Sequence, residues 1–190
     1  MRIISGIYKG RNIPGKVPPN VRPTQDAMRE TIFNIISNFI DFEGLVVCDL
    51  CCGTGAMAIE ALSRGAEFAY FVDISRQSLD FVKNVLDTFK IERPKYQISL
   101  YRAEKFLLSD KVNRNIDLIF VDPPYKNNVI NDIVASISSS RFVPDGAIIS
   151  IEYGIANSLL IPENLEIIAE RQYSISKVTL MRKASASSPA

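Results

Sequence analysis

LVVCDLCCGTGAMAIEALSRGAEFAYFVD, residues 45–73, reads as strand, tight turn, helix and strand in quick succession. LVVCDL (45–50) is a short apolar run of the kind that fills a buried parallel strand. A glycine-containing turn follows, then an alanine-rich helix to about Leu62, stopped by Arg64-Gly65. FAYFVD (68–73) is a second strand. A strand–helix–strand unit this compact predicts a parallel pair inside an α/β domain.

The alternation continues toward the C-terminus. Ser75 is placed to cap a helix carrying Leu79, Val82, Val85, Leu86 and Phe89. YQISLY (96–101) is the third strand, with a short helix over Glu104–Leu108 behind it. IDLIFVD (116–122) is the fourth, followed by a helix marked by Val129, Ile130, Ile133, Val134 and Ile137. GAIISIEY (146–153) is the fifth, and LEIIAERQY with SISKVTLMR forms a tightly joined terminal pair. Toward the N-terminus, Thr24 is a good N-cap for a helix in which Met28, Ile32, Ile35, Ile36 and Phe39 recur at helical spacing. RIISGIYKGRNI suits a short hairpin, and PGKVPPN breaks regular structure. The expected organisation is a basic extension over 1–23, one domain over 24–183 and a frayed tail over 184–190. In a parallel sheet with helices on both faces, ligands bind at the carboxyl ends of the strands.

Composition narrows the chemistry. The 190 residues, 47% hydrophobic, suit one α/β domain with a sizeable core. No apolar run reaches the roughly 18–20 residues of a membrane span, and MRIISGIYKGR does not resemble a signal peptide, so a cytoplasmic protein is expected. Cys48, Cys51 and Cys52 make no disulfide framework, and the absence of histidine excludes a Cys/His zinc site; no metal is expected. It also excludes Ser-His-Asp and Cys-His nucleophilic machinery, leaving carboxylates, backbone groups and a bound cofactor. The net charge of +1 is unevenly spread: Arg2, Lys9, Arg11, Lys16 and Arg22 share a segment without acids, as do Arg171, Lys177, Arg182 and Lys183. Two such segments suggest a local polyanion-facing surface, although chance clustering explains them equally well.

Two motifs fall at strand ends. Asp49-Leu50-Cys51-Cys52-Gly53-Thr54-Gly55 leaves the first strand, and its glycines let the backbone approach a ligand at the positive end of the next helix. Asp73 ends the next strand, placed to accept hydrogen bonds from ribose hydroxyls. The same residues satisfy a dinucleotide fingerprint, Gly53-x-Gly55-x-x-Ala58 with Asp73 20 residues after Gly53, so an NAD-dependent oxidoreductase competes. Asp49 argues against it, because a pyrophosphate repels a carboxylate there, whereas S-adenosylmethionine (SAM) brings a cationic sulfonium and an ammonium. Asp122-Pro123-Pro124-Tyr125, at the end of the fourth strand, weighs further toward SAM. Its prolines fix the backbone and leave carbonyls free to accept. Asp122 and the Pro123 carbonyl can take the two N–H bonds of an exocyclic amine, and Tyr125 offers a face on which an extruded base stacks. Ala103-Glu104 stands where an adenine pocket belongs, and Arg22-Pro23-Thr24 can face cofactor or phosphate.

RIISGIYKGRNI, RPTQDAMRETIFNII, DLCCGTGAMAIEALSRGA, FVDIS and VDPPY together resemble the bacterial small-subunit ribosomal RNA guanine-N2 methyltransferases of the RsmD type, over nearly the whole chain. The resemblance implies a class I SAM-dependent methyltransferase (Rossmann-like) fold: a seven-stranded, mostly parallel sheet with helices on both faces and a small N-terminal hairpin. It implies methyl transfer from SAM to N2 of a guanine in 16S rRNA, within an assembling or assembled small subunit. Asp49, Leu50, Gly53 and Gly55 would cradle the cofactor, and Asp73 with Ile74 would hold its ribose end. Asp122, Pro123 and Tyr125 would orient the amine, and Lys9, Arg11 and Arg22 would grip RNA backbone. The family more often has Phe-Ala-Gly-Ser-Gly at 51–55, and an Asp or Asn where Arg102 stands. That moves the expected adenine contact to the Ala103 backbone and Glu104. A monomer is expected. The alternatives are a DNA adenine-N6 or cytosine-N4 methyltransferase, for which the chain leaves no recognition domain, an NAD-dependent oxidoreductase, and a nonenzymatic RNA-binding assembly factor.

Overall fold

The computed structural model describes residues 1–15, 18, 26–123 and 129–184. Among the described residues, five α-helices and seven strands follow in chain order, with a short 3-10 turn (Arg93–Lys95) before β3: α1 (Asp26–Ile36), β1 (Val46–Leu50), α2 (Ala56–Ser63), β2 (Phe68–Asp73), α3 (Arg76–Phe89), β3 (Tyr96–Leu100), α4 (Ala103–Phe106), β4 (Leu118–Val121), α5 (Val129–Ser139), β5 (Ile148–Gly154), β6 (Leu165–Gln172) and β7 (Ser176–Lys183). The strands form one sheet in the order β3-β2-β1-β4-β5-β7-β6. The pairs among β1 to β5 are parallel, and only β7 pairs antiparallel, with β5 on one side and β6 on the other. Strand order reverses direction at β1, which neighbours both β2 and β4; this is the switch point at which such sheets bind ligands.

Each face carries its own core. Phe33, Ala58, Ile59, Phe71, Val82 and Phe120 belong to the side covered by α1, α2 and α3. Cys48, Tyr70, Phe106, Ile133, Ile137 and Ile151 belong to the side covered by α4 and α5. Ser75 accepts the backbone N–H of Ser78 and caps α3 as its sequence predicts. The first helix departs from expectation. It ends at Ile36, its buried side chains are Arg29, Ile32, Phe33 and Ile36, and Phe39 lies beyond it, exposed. The Asn38 and Phe39 N–H groups reach back only three residues, to Ile35 and Ile36, so the chain tightens into a turn before Phe39 can join the helical face. The N-cap expected at Thr24 lies outside the described residues, as does the tail beyond Ala184.

Residues 1–15 are fastened to the domain. Ile3 and Ile13 sit in the core, and Arg2 bridges Asn12 in the hairpin-like pairing foreseen from the sequence. The carboxylate of Glu60, on α2, accepts the N–H groups of Ile4 at 2.8 Å and Ser5 at 2.9 Å, and the Arg64 guanidinium at 2.9 Å. Arg29 donates to the Arg2 carbonyl and to Asp26. Gly6 is obligatory: its φ is +80°, and an added Cβ would lie 1.7 Å from the Ser63 carbonyl oxygen. Among the described residues, no helix is long and apolar enough to cross a membrane.

Candidate active site at the carboxyl edge

Asp49 is the last residue but one of β1, Asp73 ends β2 and Asp122 directly follows β4, so the sheet brings them to one edge. Between β1 and α2 the chain turns with Cys51 at φ 60° and Gly53 at φ 51°, and enters the helix through Gly55 at φ 70°. Gly55 is required twice over, since a Cβ there would meet Val82 Cγ2 at 2.9 Å and the Phe71 ring at 3.0 Å. The turn is braced from below. Asp73 accepts the Gly53 N–H at 2.9 Å through one carboxylate oxygen and the Ser75 N–H at 2.8 Å through the other. Asp49 is buried and accepts the Ala58 N–H at 3.2 Å, satisfying a donor in the first turn of α2, where Gly55 provides no side-chain cap.

The electrostatics single out this cluster. Burial pushes the Asp49 carboxyl well above the usual carboxylate range; the Ala58 N–H opposes this, and the charges of Asp122 and Asp73 add to it. Burial likewise raises the Cys51 thiol, reinforced in order by Asp73, Asp122, Asp49 and Glu104. Cys51 therefore lies within the field of four carboxylates. A site of this charge suits a ligand that arrives as a cation.

The other expected residues fall into place unevenly. Ile74 is exposed just past β2 and free to flank a ligand. Leu50 has its side chain in the core, and its carbonyl faces the Asp122 N–H at 3.5 Å, so it ties β1 to the start of the second motif. Ala103 is buried at the start of α4. Glu104 is ion-paired with Arg102. Burial raises its carboxyl, but its own backbone N–H and then Arg102 outweigh this and hold it below the usual range. Pro123 is buried and Asp122 half-buried. Tyr125 and Arg22 lie outside the described residues. Lys9 is exposed, whereas Arg11 donates to the Thr88 carbonyl at 3.0 Å and stacks over the Phe89 ring at 4.2 Å. Among the described residues no group of histidine, cysteine and carboxylate side chains could hold a metal ion.

Two features had no clear sequence reading. Cys51 is a non-glycine residue in left-handed backbone, which only the turn geometry reveals. Glu60 is a buried anchor for the N-terminal segment, and its one signal is a lone acid inside AMAIEALS.

A glycine turn braced by Asp73, a carboxylate cluster at the switch point and an Asp-Pro pair at the end of β4, on this sheet order, define a methyltransferase of the class I fold. The chain belongs to the family described as "Conserved hypothetical protein 95", whose model matches residues 1–182. It is 33% identical over 165 residues to the Ribosomal RNA small subunit methyltransferase D of Buchnera aphidicola subsp. Baizongia pistaciae, covering 86% of this chain and 82% of that one. It is also 33% identical over 174 residues to the protein of that name from Escherichia coli K12, covering 90% and 84%. A solved structure titled "Putative methyltransferase yhhF from Escherichia coli" superposes with a TM-score of 0.84 at 25% identity, over 97% of this chain and 98% of that one.

Proposed function

We propose that this protein transfers a methyl group from S-adenosylmethionine to the exocyclic N2 amine of a guanine in the 16S rRNA of the small ribosomal subunit. The observation that carries the reading is the convergence of Asp49, Asp73 and Asp122 on one edge, close enough for the charges of the other two to raise the Asp49 pKa. A cationic ligand relieves that repulsion, whereas a dinucleotide pyrophosphate would aggravate it. The residues fit the cofactor. The turn 51–55 would lie along it, Asp73 has lone pairs left for ribose hydroxyls, Ile74 would flank the adenine, and the Ala103 backbone with Glu104 would close the far side. When bound, SAM supplies an electrophilic methyl group on its sulfonium.

The chain's own residues then act on the amine. The Asp122 carboxylate and the Pro123 carbonyl accept its two N–H bonds, which draws the nitrogen out of conjugation with the ring and turns its lone pair toward the methyl group. Tyr125 stacks on the extruded base. Asp122 takes up the proton after attack or passes it to water. RNA as substrate is supported by the names of the relatives, and guanine N2 by the resemblance of RPTQDAMRETIFNII and IEALSRGA to the N2 enzymes.

Replacing Asp122 tests the chemical role. Asp122→Ala should lower methyl transfer by at least about 100-fold, the scale on which positioned acid–base and acceptor groups act. SAM affinity by calorimetry should stay within about threefold. Turnover near the wild-type rate would show that Asp122 does not orient the amine.

A further inference from the structure

Guanine differs from adenine and cytosine in the ring atom beside its exocyclic amine. Its N1 carries a hydrogen, and the N1–H and N2–H bonds leave the ring side by side. Adenine and cytosine present a bare ring nitrogen, an acceptor, in the same place. A site selective for guanine therefore needs one acceptor beyond the two that Asp122 and the Pro123 carbonyl offer the amine. An ionised carboxylate suits, because it only accepts, through about four lone-pair positions on its two oxygens.

The sheet sets a second carboxylate level with Asp122. β4 and β5 run parallel, with Phe120 opposite Ser150 and Val121 opposite Ile151. One step further along, Asp122 comes opposite Glu152. Glu152 lies inside β5, so its face is fixed. Its chain neighbours Ile151 and Tyr153 belong to the core under α4 and α5, whereas Val178, opposite it on β7, belongs to the core under α1, α2 and α3. Asp122 takes the same face as Glu152. Phe120, two residues earlier, packs in that core opposite Asp49, and the charge of Asp122 is felt at Asp49. The Asp122 N–H still faces the Leu50 carbonyl at 3.5 Å, which keeps this residue in line with the strand. Neighbouring strands lie about 4.8 Å apart, close enough for both carboxylates to meet one base edge.

Glu152 is half-buried at this carboxyl edge. Tyr173, in the β6–β7 turn, packs against the same core and its hydroxyl hydrogen-bonds Thr31 on α1. Burial raises the Tyr173 hydroxyl and the charge of Glu152 adds to it, so the two groups are neighbours. Lys177 stands opposite Tyr153 on the other face and pairs with Glu170 at 2.6 Å. Arg171 shares the Glu152 face one strand beyond Val178 and donates to the Glu170 carbonyl at 2.7 Å. Neither of these contacts involves Glu152.

We propose that Glu152 selects guanine: its carboxylate accepts the N1–H of the base whose N2 amine Asp122 and Pro123 orient. The inference rests on the functional reading above and adds to it a specificity-determining residue. With guanine, Glu152 makes a charge-assisted hydrogen bond. With adenine or cytosine it faces a lone pair, so the wrong base meets repulsion at the point where the right one is held. An extruded base is read along this edge.

2-Aminopurine tests the assignment, because it keeps the 2-amine of guanine and has no hydrogen on N1. Small subunits are reconstituted with guanine or 2-aminopurine at the position that the wild-type protein methylates. The wild type should prefer guanine by at least about 100-fold in kcat/KM, since a site built around a substrate N–H rejects an analogue lacking it. Glu152→Gln, whose amide offers a donor as well as an acceptor, should narrow that preference to less than about tenfold, with SAM affinity within about twofold. Equal turnover of the two bases by the wild type overturns the proposal whether or not the variant folds. A Glu152→Gln protein that keeps the wild-type preference overturns it too. If the wild type methylates no guanine, the functional reading fails first and the role of Glu152 falls with it; an active wild type with an unaltered preference in the variant removes Glu152 alone.

Discussion

Burial holds the Asp49 carboxyl well above its ordinary range; the Ala58 N–H pulls it back, and the charges of Asp122 and Asp73 push it further up. A folded-state pKa above the unfolded value means that folding favours the protonated form. The stability this group contributes is fully present below the ordinary carboxylate pKa and is lost as pH rises through the raised one. Where pH has risen through that raised pKa, the folded protein carries a buried charge that an amide would not. Asp49→Asn keeps an acceptor for Ala58 and should stabilise by about 1 kcal/mol, a rise of about 2–4 °C in Tm. The gain should shrink as pH falls toward the ordinary carboxylate range. On the proposed reading, in which Asp49 faces the cationic cofactor, the same variant should bind SAM more weakly. A lower Tm at pH 8, measured by scanning calorimetry, would contradict this reading of Asp49.

At the scale of elements, the N-terminal segment depends on α2. Glu60 and Arg29 both have fully buried side chains, with the Arg29 Nε 4.0 Å from a Glu60 oxygen, and Glu60 also receives Ile4, Ser5 and Arg64. Removing one partner of such a pair strands the other charge in the core, which typically costs about 3–5 kcal/mol. Glu60→Ala should lose about that much in urea unfolding and expose residues 1–15 to protease, whereas a loss below about 1 kcal/mol would mean that Glu60 is not the anchor. The elements themselves were legible from the sequence. LVVCDL, FAYFVD and IDLIFVD announced strands, and Ser75 and Gly65 marked helix limits, because period and capping are local physics. The Glu60 anchor was not legible, since its partners lie 55 and 56 residues away and nothing local pairs them. Phe39 departs from its sequence pattern for a related reason: its spacing fits the α1 stripe, but the turn after Ile36 decides its position. Within the site, Asp49, Gly53, Gly55, Asp73 and Asp122 stood out by type and spacing. The clamp of Arg102 on Glu104 required coordinates.

Across the whole molecule the basic residues divide by edge. The tip of the N-terminal hairpin packs against Ser63 and Thr88–Phe89, at the far ends of α2 and α3. Helix α3 is 14 residues long, so the tip lies roughly 20 Å from the reacting edge at about 1.5 Å per residue. Arg11 is engaged in holding the hairpin there, which leaves exposed Lys9 as the better candidate for touching RNA phosphate. Charge reversal at Lys9 should weaken binding to the small subunit and flatten its salt dependence by about one phosphate contact. It should leave turnover of a short oligonucleotide carrying the target guanine unchanged. Filter binding across a salt series checks this, and identical slopes for wild type and Lys9→Glu would remove Lys9 from the interface.

Methyl transfer to N2 of a guanine in small-subunit RNA is the activity we propose. The measurement that tests it most directly offers labelled SAM and the protein to small subunits, naked 16S rRNA and DNA, followed by digestion and nucleoside analysis. Label is expected in N2-methylguanosine from the ribosomal substrate and none in DNA; label on DNA adenine or cytosine, or on a different amine of the RNA, would refute the proposed activity.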